Sequence, residues 1–389
     1  MSDFILSLNS LSDRPVKMWV LYPYLKTNDE NLDYYYDFSQ SIAEYTKTFA
    51  ELNIEWKWQP ITIKDYEDVI DSIIAERKSN NFFPIVFNIC DGDEINGTPG
   101  ISVVKLLEKK GIPYTGADEF YYSITTSKIS MKQAFDKAGI STPNWEPIYN
   151  ENQNIDGIFE RLGTPIILKP SVSGGSMGVG TKNVVHNEAA LKQLIQKMFS
   201  GYRGWNLVTD GLIAESFISG AEYTCFIIGN YNKPGSAIIY EPVERVFHNS
   251  LPEHEKFLSF DRLWEIYEEE TMMPDDDSFY EYASVDPLNT NEIKKISWDA
   301  YDAVRGTGYT RVDIRKDKET GKMYVLEVNA QCGISEDEDY TSIGAILKMS
   351  GKSFTGLVKE IIINAIERNN ILIKKREIGK RFVNEPNVS

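Results

Sequence analysis

Asp313, Glu327 and Asn329 carry the side-chain types that hold a hard divalent cation, provided the chain folds back on itself between them. They lie in GYTRVDIRKDKETGKMYVLEVNAQ, where two apolar stretches flank KDKETGK, whose composition is that of an exposed turn. Side chains on a strand alternate faces, so Arg311 and Asp313 share one face while Val312 and Ile314 take the other. On the return strand Glu327 and Asn329 share a face, opposite Leu326 and Val328. If the hairpin pairs so that these faces coincide, an all-oxygen cluster forms. Such ligands suit Mg2+, which takes about six oxygens at about 2.0–2.1 Å and shares them with water and phosphate. Arg311 beside them could hold a phosphate or a developing negative charge. Taken alone, the same residues would serve equally well as the wet face of a half-exposed hairpin.

A second group reads toward phosphate. In ILKPSVSGGSMGVGTK (residues 167–182) a strand ends in Lys169-Pro170, and Gly174, Gly175, Gly178 and Gly180 follow closely. Glycines let backbone N–H groups turn toward a phosphate with no Cβ in the way, and Ser171, Ser173 and Ser176 add hydroxyl donors. The spacing is neither GxxxxGK[ST] nor that of a dinucleotide fold, and a glycine-rich hairpin is by itself often a plain turn. Further on, in LIAESFISGAEYTC, Glu215 and Glu222 flank a tight connection. One carboxylate and the strand-edge backbone could meet an adenine, and the second carboxylate could take ribose hydroxyls.

The elements that position these groups alternate. Apolar KMWVLYPYL, the helical spacing of FSQSIAEYTKTFAEL, then NIEWKW, DYEDVIDSIIAERKS and FFPIVFNIC predict an α/β layer with a mostly parallel sheet. GISVVKLLEKKG reads as a helix closed by Gly111 and IPYTG as strand-like. KISMKQAFDKA reads as a helix stopped at Gly139. PNWEPIY, TPIILKP and NEAALKQLIQKMF continue the pattern, with a helix near 153–162. LIAESF opens a third unit. Residues 252–287 are acidic and aromatic with little periodicity and read as a long loop or lid. The expected units are 1–125, 126–210 and 211–375, with a polar, loosely held tail over 376–389.

Composition narrows the function. The chain has 389 residues, 42% apolar and 25% charged, with 41 basic and 58 acidic residues and a net charge of −17. That balance disfavours nucleic acid and anionic membrane as partners. Cys90, Cys225 and Cys332 lie far apart without a CxxC pair, which argues against a disulfide framework or a zinc site and for a reducing compartment. With no basic start leading into an apolar core and no run near the ~20 residues of a membrane span, the expected location is the cytoplasm.

In this order and at these spacings, the segments resemble the ATP-grasp superfamily, and within it the D-alanine–D-alanine ligase branch of carboxylate–amine ligases. The likeness runs from VFNICDG to the final helix. It implies an ATP-grasp fold, an N-terminal α/β domain followed by two α+β subdomains that sandwich the nucleotide. TSKISMKQAFDKAGISTP resembles the first nucleotide-binding helix, which implies that Lys128 contacts phosphate, with Lys169 of PIILKP as its partner. SVSGGSMGVG resembles the loop that closes over the phosphates, with Gly174, Gly175 and Ser176 in it. ESFISGAE resembles the adenine and ribose strip, with Glu215, Phe217 and Ile218 on the adenine side and Glu222 on the ribose. RVD and EVN resemble the magnesium motif, with Asp313, Glu327 and Asn329 as ligands. Arg311, Lys169 and Ser176 are the implied catalytic groups. EKFLSFD faintly resembles the lid segment, with Lys256 as a contact. The cofactors implied are ATP and two Mg2+ ions, with Mn2+ as an alternative, and the family's habit is a homodimer. ATP phosphorylates a carboxylate, and an amine then displaces phosphate to give an amide.

Substrate recognition departs from the family. LYPYLKTNDENLDYYYDFSQ has no recognisable equivalent of the turn that holds the first amino acid, and Gly175 stands where the family's loop has a serine. After the metal motif the chain reads CGISEDEDYTSIG instead of a Pro-Gly and a Thr/Ser-rich turn. Glu336, Asp337, Glu338 and Asp339 would repel a carboxylate, so the expected acceptor is cationic and the expected substrates differ from two D-alanines. An acidic surface turn would look the same. Small-molecule phosphoryl transfer on the same site, or a silent nucleotide-binding regulator, are the other readings.

Overall fold

VKMWVLYP forms strand β1 (Val16–Pro23), in which Met18, Trp19, Val20 and Leu21 are fully shielded from solvent. An apolar run without alternation fits a strand covered on both faces, as in a parallel sheet flanked by helices. β2 (Glu55–Ile61) and β3 (Phe83–Asn88) pair in parallel on either side of it, in the order β2-β1-β3. The coordinates are a computed structural model. They describe residues 14–25, 38–79, 82–201, 204–273 and 278–383 with Phe4, Leu8 and Ser12, and beyond residue 369 the backbone alone. Most of the stretch after β1 that departs from the family, and part of the acidic segment near 275, lie outside the described residues. IPYTG adds only a single bridge, Tyr114 to Val86, because Gly116 (φ +89°) turns the chain away.

A second, antiparallel sheet takes β4 (Trp145–Ile148), β5 (Ile166–Pro170), β6 (Val184–Val185) and β7 (Leu212–Ser216) in the order β4-β7-β5-β6. Ile166, Leu168, Leu212 and Ala214 pack there against Leu191 and Ile195 of the helix Glu188–Phe199, a core of its own. This sheet reaches past residue 210, where the change of pattern suggests a boundary, because β7 lies in its interior.

The third sheet holds β8 (Glu222–Asn230), β9 (Ile238–Ile239), β10 (Val243–Phe247), β11 (Tyr280–Ser284), β12 (Thr307–Lys316) and β13 (Met323–Ala330). Its order is β11-β10-β8-β12-β13, with β9 also on β8. One face, with Cys225, Val312 and Ile314, shares a core with Trp19 and Val86 of the first sheet. The other, with Phe226, Ile228 and Tyr309, shares a core with Met18, Ile85 and the helix Phe354–Val383. The first and third sheets are thus locked by common cores, while the second packs on itself.

The helix Lys128–Ala138 bridges these bodies. The Ser127 hydroxyl accepts from the Ser130 N–H at its start, and Gly139 (φ +72°) closes it as the sequence suggests. Two expectations change. Residues 252–287 are not all loop: Tyr280–Ser284 form edge strand β11 against β10, their alternation hidden in a run of aromatic and acidic residues. The tail does not begin at residue 376, since the last helix continues through Val383. No helix among the described residues is long and apolar enough to cross a membrane.

Candidate active site

A cavity of about 1070 Å3 opens between the three sheets, and the hairpin β12–β13 supplies part of its wall. The register sets Arg311 across from Asn329 and Asp313 across from Glu327, so the four polar side chains share one face. Arg311 donates twice from Nε to Asp313, at 3.1 Å to each oxygen, and once from Nη2 to Oδ2 at 2.9 Å. Thr224 Oγ1 donates to Asp313 Oδ1 at 3.0 Å. Asn329 Nδ2 donates to Asp313 Oδ2 at 3.0 Å and to Glu327 Oε1 at 3.2 Å, bridging the two carboxylates. The Lys128 ammonium stands 3.9 Å from Glu327. Burial works against the Arg311 charge, but Asp313 outweighs it and raises its pKa.

Two carboxylates and a carboxamide, held together and lined with cations, suit a hard divalent ion. No three His, Cys, Asp or Glu side chains among the described residues form a metal group by themselves, so Asn329 is needed to complete the set. The register slips by one residue after Asp313, so Ile314 faces Val325 and Leu326 is left over. Leu326 therefore joins Glu327 in the cavity wall, whereas strict alternation places it on the far face.

The opposite wall is cationic. Lys128 opens the helix Lys128–Ala138, Lys132 follows one turn later, and Lys169 ends β5. Glu215 on β7 is 2% exposed and pairs with Lys132 at 2.7 Å and with Lys169 at 2.8 Å. Burial opposes its charge, but the two ammoniums prevail and hold the carboxyl at about 2. Burial lowers the pKa of Lys132, with Glu215 opposing, and that of Lys128, with Glu327 opposing. Glu215 is thus not an open acceptor for an adenine amino group: it is the counter-charge that fixes two lysines. Lys128 also donates to the Ser173 carbonyl at 3.1 Å, which ties it to the glycine-rich loop.

That loop turns through left-handed backbone at Gly175 (φ +56°), Ser176 (φ +60°) and Gly178 (φ +75°). A Cβ on Gly175 would meet the Trp264 ring at 3.1 Å, while Gly174 faces open space. Trp264 Nε1 donates to the Gly175 carbonyl and Ser176 Oγ to the Leu258 carbonyl, each at 2.8 Å. The loop is therefore fastened to the segment after Pro252, and the Ser176 hydroxyl is spent on that fastening. Phe217 and Ile218 line the cavity, and Glu222 is buried between Arg245 and Arg315, its Oε2 2.8 Å from Arg315 Nη2. Burial raises the Glu222 carboxyl and the two guanidiniums more than reverse this, so its pKa is lowered. Lys256 does not line the cavity. Its ammonium pairs with Glu253 at 2.5 Å, and its carbonyl accepts from Arg315.

The family model described as "D-ala D-ala ligase C-terminus" matches residues 134–363 of this chain. A D-alanine–D-alanine ligase of Thermoanaerobacter sp. strain X514 is 30% identical over 304 residues, which cover 77% of this chain and 76% of the relative. The chain belongs to the D-alanine–D-alanine ligase family. As such it is an ATP- and Mg2+-dependent ligase that joins a carboxylate to an amine. The fold agrees: the D-alanine–D-alanine ligase of Coxiella burnetii superposes with a TM-score of 0.65 at 18% identity, covering 94% of this chain and 99% of that one. The Bacillus anthracis ligase complexed with ATP gives 0.61 at 20%, covering 91% and 98%.

The acidic run after the metal motif of this ligase-family chain does not face the cavity. Glu336 pairs with Lys47 at 3.0 Å and Glu338 with Lys348 at 2.7 Å. Asp337 accepts from the N–H groups of Asp339 and Tyr340, each at about 3 Å, and from Gln40 at 3.3 Å. None of residues 336–339 lines the cavity, so the cation trap expected of them does not form. Glu336 and Asp337 dock the loop on the helix Ser39–Leu52, and Glu338 ties it to the helix Ser342–Ser350.

Several residues in or behind the cavity wall lie outside the motifs. Lys132, buried behind the wall, has a local signal, four residues after Lys128 on the same helix face. Arg315 extends the alternation of Arg311 and Asp313, and Tyr280 and Tyr282 repeat at two. Arg245 had none, because its partner Glu222 sits across the β8–β10 pair.

Proposed function

We propose that this ligase activates the carboxylate of an amino acid by phosphorylation and joins it to the amino group of a second, with D-alanine the first substrate to test at both positions. The convergence on one cavity of Lys128 and Lys169 with Arg311, Asp313, Glu327 and Asn329 of the hairpin across from them carries the reading. Such a group can offset the charge of a transferring phosphoryl group. In the first step a carboxylate oxygen attacks the γ-phosphorus and ADP leaves. In the second a neutral amine attacks the acyl carbon and phosphate leaves with the former carboxylate oxygen. Lys128 and Lys169 bind phosphate oxygens, with Glu215 fixing Lys169. Arg311, oriented by Asp313, faces the acyl phosphate.

Asp313, Glu327 and Asn329 would hold magnesium, which when bound neutralises the nucleotide phosphates; two ions are our reading. Leu326, Phe217 and Ile218 offer the base an apolar seat, and Glu222 lies at the ribose end. Closure of residues 174–180 against the segment around Leu258 and Trp264 keeps water from the acyl phosphate. The relatives carry the name of D-alanine–D-alanine ligases, and the docked acidic run removes the argument for a cationic acceptor.

Incubation with Mg-ATP and D-alanine tests the reading: ADP, phosphate and D-alanyl-D-alanine should form in equal amounts. ADP with a stable phosphorylated acid and no free phosphate would instead make it a kinase. ADP and a dipeptide only with other amino acids would keep the ligase and discard D-alanine.

A further inference from the structure

Asp91 is a cavity carboxylate to which the family motifs give no role. It follows β3, and the sheet order β2-β1-β3 makes the junction of β1 and β3 the point where the chain's path across the sheet reverses. In open parallel sheets, ligands bind outside the carboxyl ends of the strands at that point. Here Leu25, just past β1, and Asp91, just past β3, both line the cavity. The backbone around Asp91 is fixed. Ile89 N–H donates to the Leu21 carbonyl at 3.0 Å, and Cys90 N–H to Asn88 Oδ1 at 3.2 Å. The Tyr122 hydroxyl donates to the Gly92 carbonyl at 2.8 Å. A Cβ on Gly92 would lie 2.2 Å from the Thr98 carbonyl oxygen, so the loop folds back tightly on itself. Gln331, two residues beyond Asn329, donates to the Asn88 carbonyl and couples this corner to the metal hairpin.

The other carboxylates in the cavity wall are occupied. Asp93 caps the N–H groups of Ile95 and Asn96, Glu215 holds two lysines, and Glu222 two arginines. Asp313 holds Arg311, and Glu327 accepts from Asn329. Among the described residues nothing but its own N–H serves Asp91. The Asp91 side chain is exposed to the cavity, and its carboxyl is shifted upward by the surrounding protein, with Asp93 adding to the rise and no cation opposing it. A cation set against it would reverse that cost.

We propose that Asp91 receives the ammonium group of the amino acid whose carboxylate is activated. The proposal rests on the ligase reading above and names the half of the substrate that the motifs leave unassigned. An amino acid entering the cavity has its carboxylate drawn toward Lys128, Lys169 and Arg311. Its ammonium is repelled by the same cations and finds a free counter-charge at the switch point.

The test replaces the amine substrate with hydroxylamine, so that hydroxamate formation reads the activated acid alone. D-alanine is compared with propionate, which lacks only the ammonium group, in the wild type, Asp91→Asn and Asp91→Glu. The wild type should prefer D-alanine by about 100-fold or more in kcat/KM. Asp91→Asn should raise the KM for D-alanine by a similar factor, leave the KM for ATP within about twofold, and bring the two acids within about tenfold of each other. Asp91→Glu should restore most of the preference. The ratio is read within one preparation, so partial misfolding does not alter it. A preference unchanged in Asp91→Asn, whatever its KM, overturns the proposal. So does a wild type that uses propionate as readily as D-alanine, although the ligase reading then stands. No hydroxamate from D-alanine, other amino acids or propionate would overturn both.

Discussion

The two ends of the cavity are built on opposite electrostatic plans. At the phosphate end every charge already has a partner within the chain: Lys132 and Lys169 share Glu215, Arg311 clasps Asp313, and Lys128 approaches Glu327. At the N-terminal end Asp91 stands without a cation, and the loop that carries Ser335 and Thr341 leans on Glu44 of the first unit. The first arrangement is a preorganised bed for a fixed reaction. The second leaves valence open for whatever substrate the enzyme selects.

Changes at the phosphate end should cost most. Asp313→Asn removes a proposed magnesium ligand and loosens Arg311, so kcat should fall by about 10^3-fold with the fold intact, as ADP release and circular dichroism would show. An activity within tenfold of the wild type would break the comparison on its catalytic side. Glu215→Gln strands Lys132, which is fully buried, and should cost about 3–5 kcal/mol in urea unfolding. The pH dependence has a definite sign. The Glu215 carboxyl lies at about 2 in the folded chain, below its unfolded value of about 4.3. Its contribution is therefore complete above pH ~4.3 and is lost as the pH falls toward 2. Glu215→Gln should lack that part of the acid transition.

At the other end the effects should be selective. Glu44 is buried and accepts from Ser335 Oγ at 2.6 Å and from the Glu336 N–H at 3.1 Å. Glu44→Ala loosens the loop that brings Ser335 and Thr341 to the cavity and should raise the KM of an amino-acid substrate about tenfold while leaving that of ATP unchanged. The double change Asp337→Asn with Glu338→Gln should do least, with every KM within about twofold and under about 1 kcal/mol of stability lost. A large rise in one amine's KM would return the acidic run to the substrate site.

How much was legible follows from how local each contact is. Strand alternation puts Glu327 and Asn329 on one face and Asp313 on a face of its own strand, the hairpin register joins the two, and the glycine run before Lys182 marks the loop. Leu326 was misplaced because alternation cannot foresee a register slip. The sequence reads Glu215 toward the adenine because its lysine Lys132 lies 83 residues earlier and meets it only through tertiary packing. The acidic run looked like a cation trap because its counter-charge Lys47 belongs to a helix near the other end of the chain. Asp91 was silent, since strand order, which no short motif encodes, is what makes the end of β3 a binding corner.

The proposed chemistry turns on a carboxylate that becomes an acyl phosphate, and isotope transfer tests this most directly. D-alanine labelled with oxygen-18 in its carboxylate is incubated with Mg-ATP and the enzyme, and the released phosphate is examined by mass spectrometry. One labelled oxygen in each phosphate is predicted, because the bond that formed to phosphorus is kept when the amine displaces it. Unlabelled phosphate released alongside dipeptide would mean that ATP is cleaved without activating the carboxylate, and would contradict the mechanism.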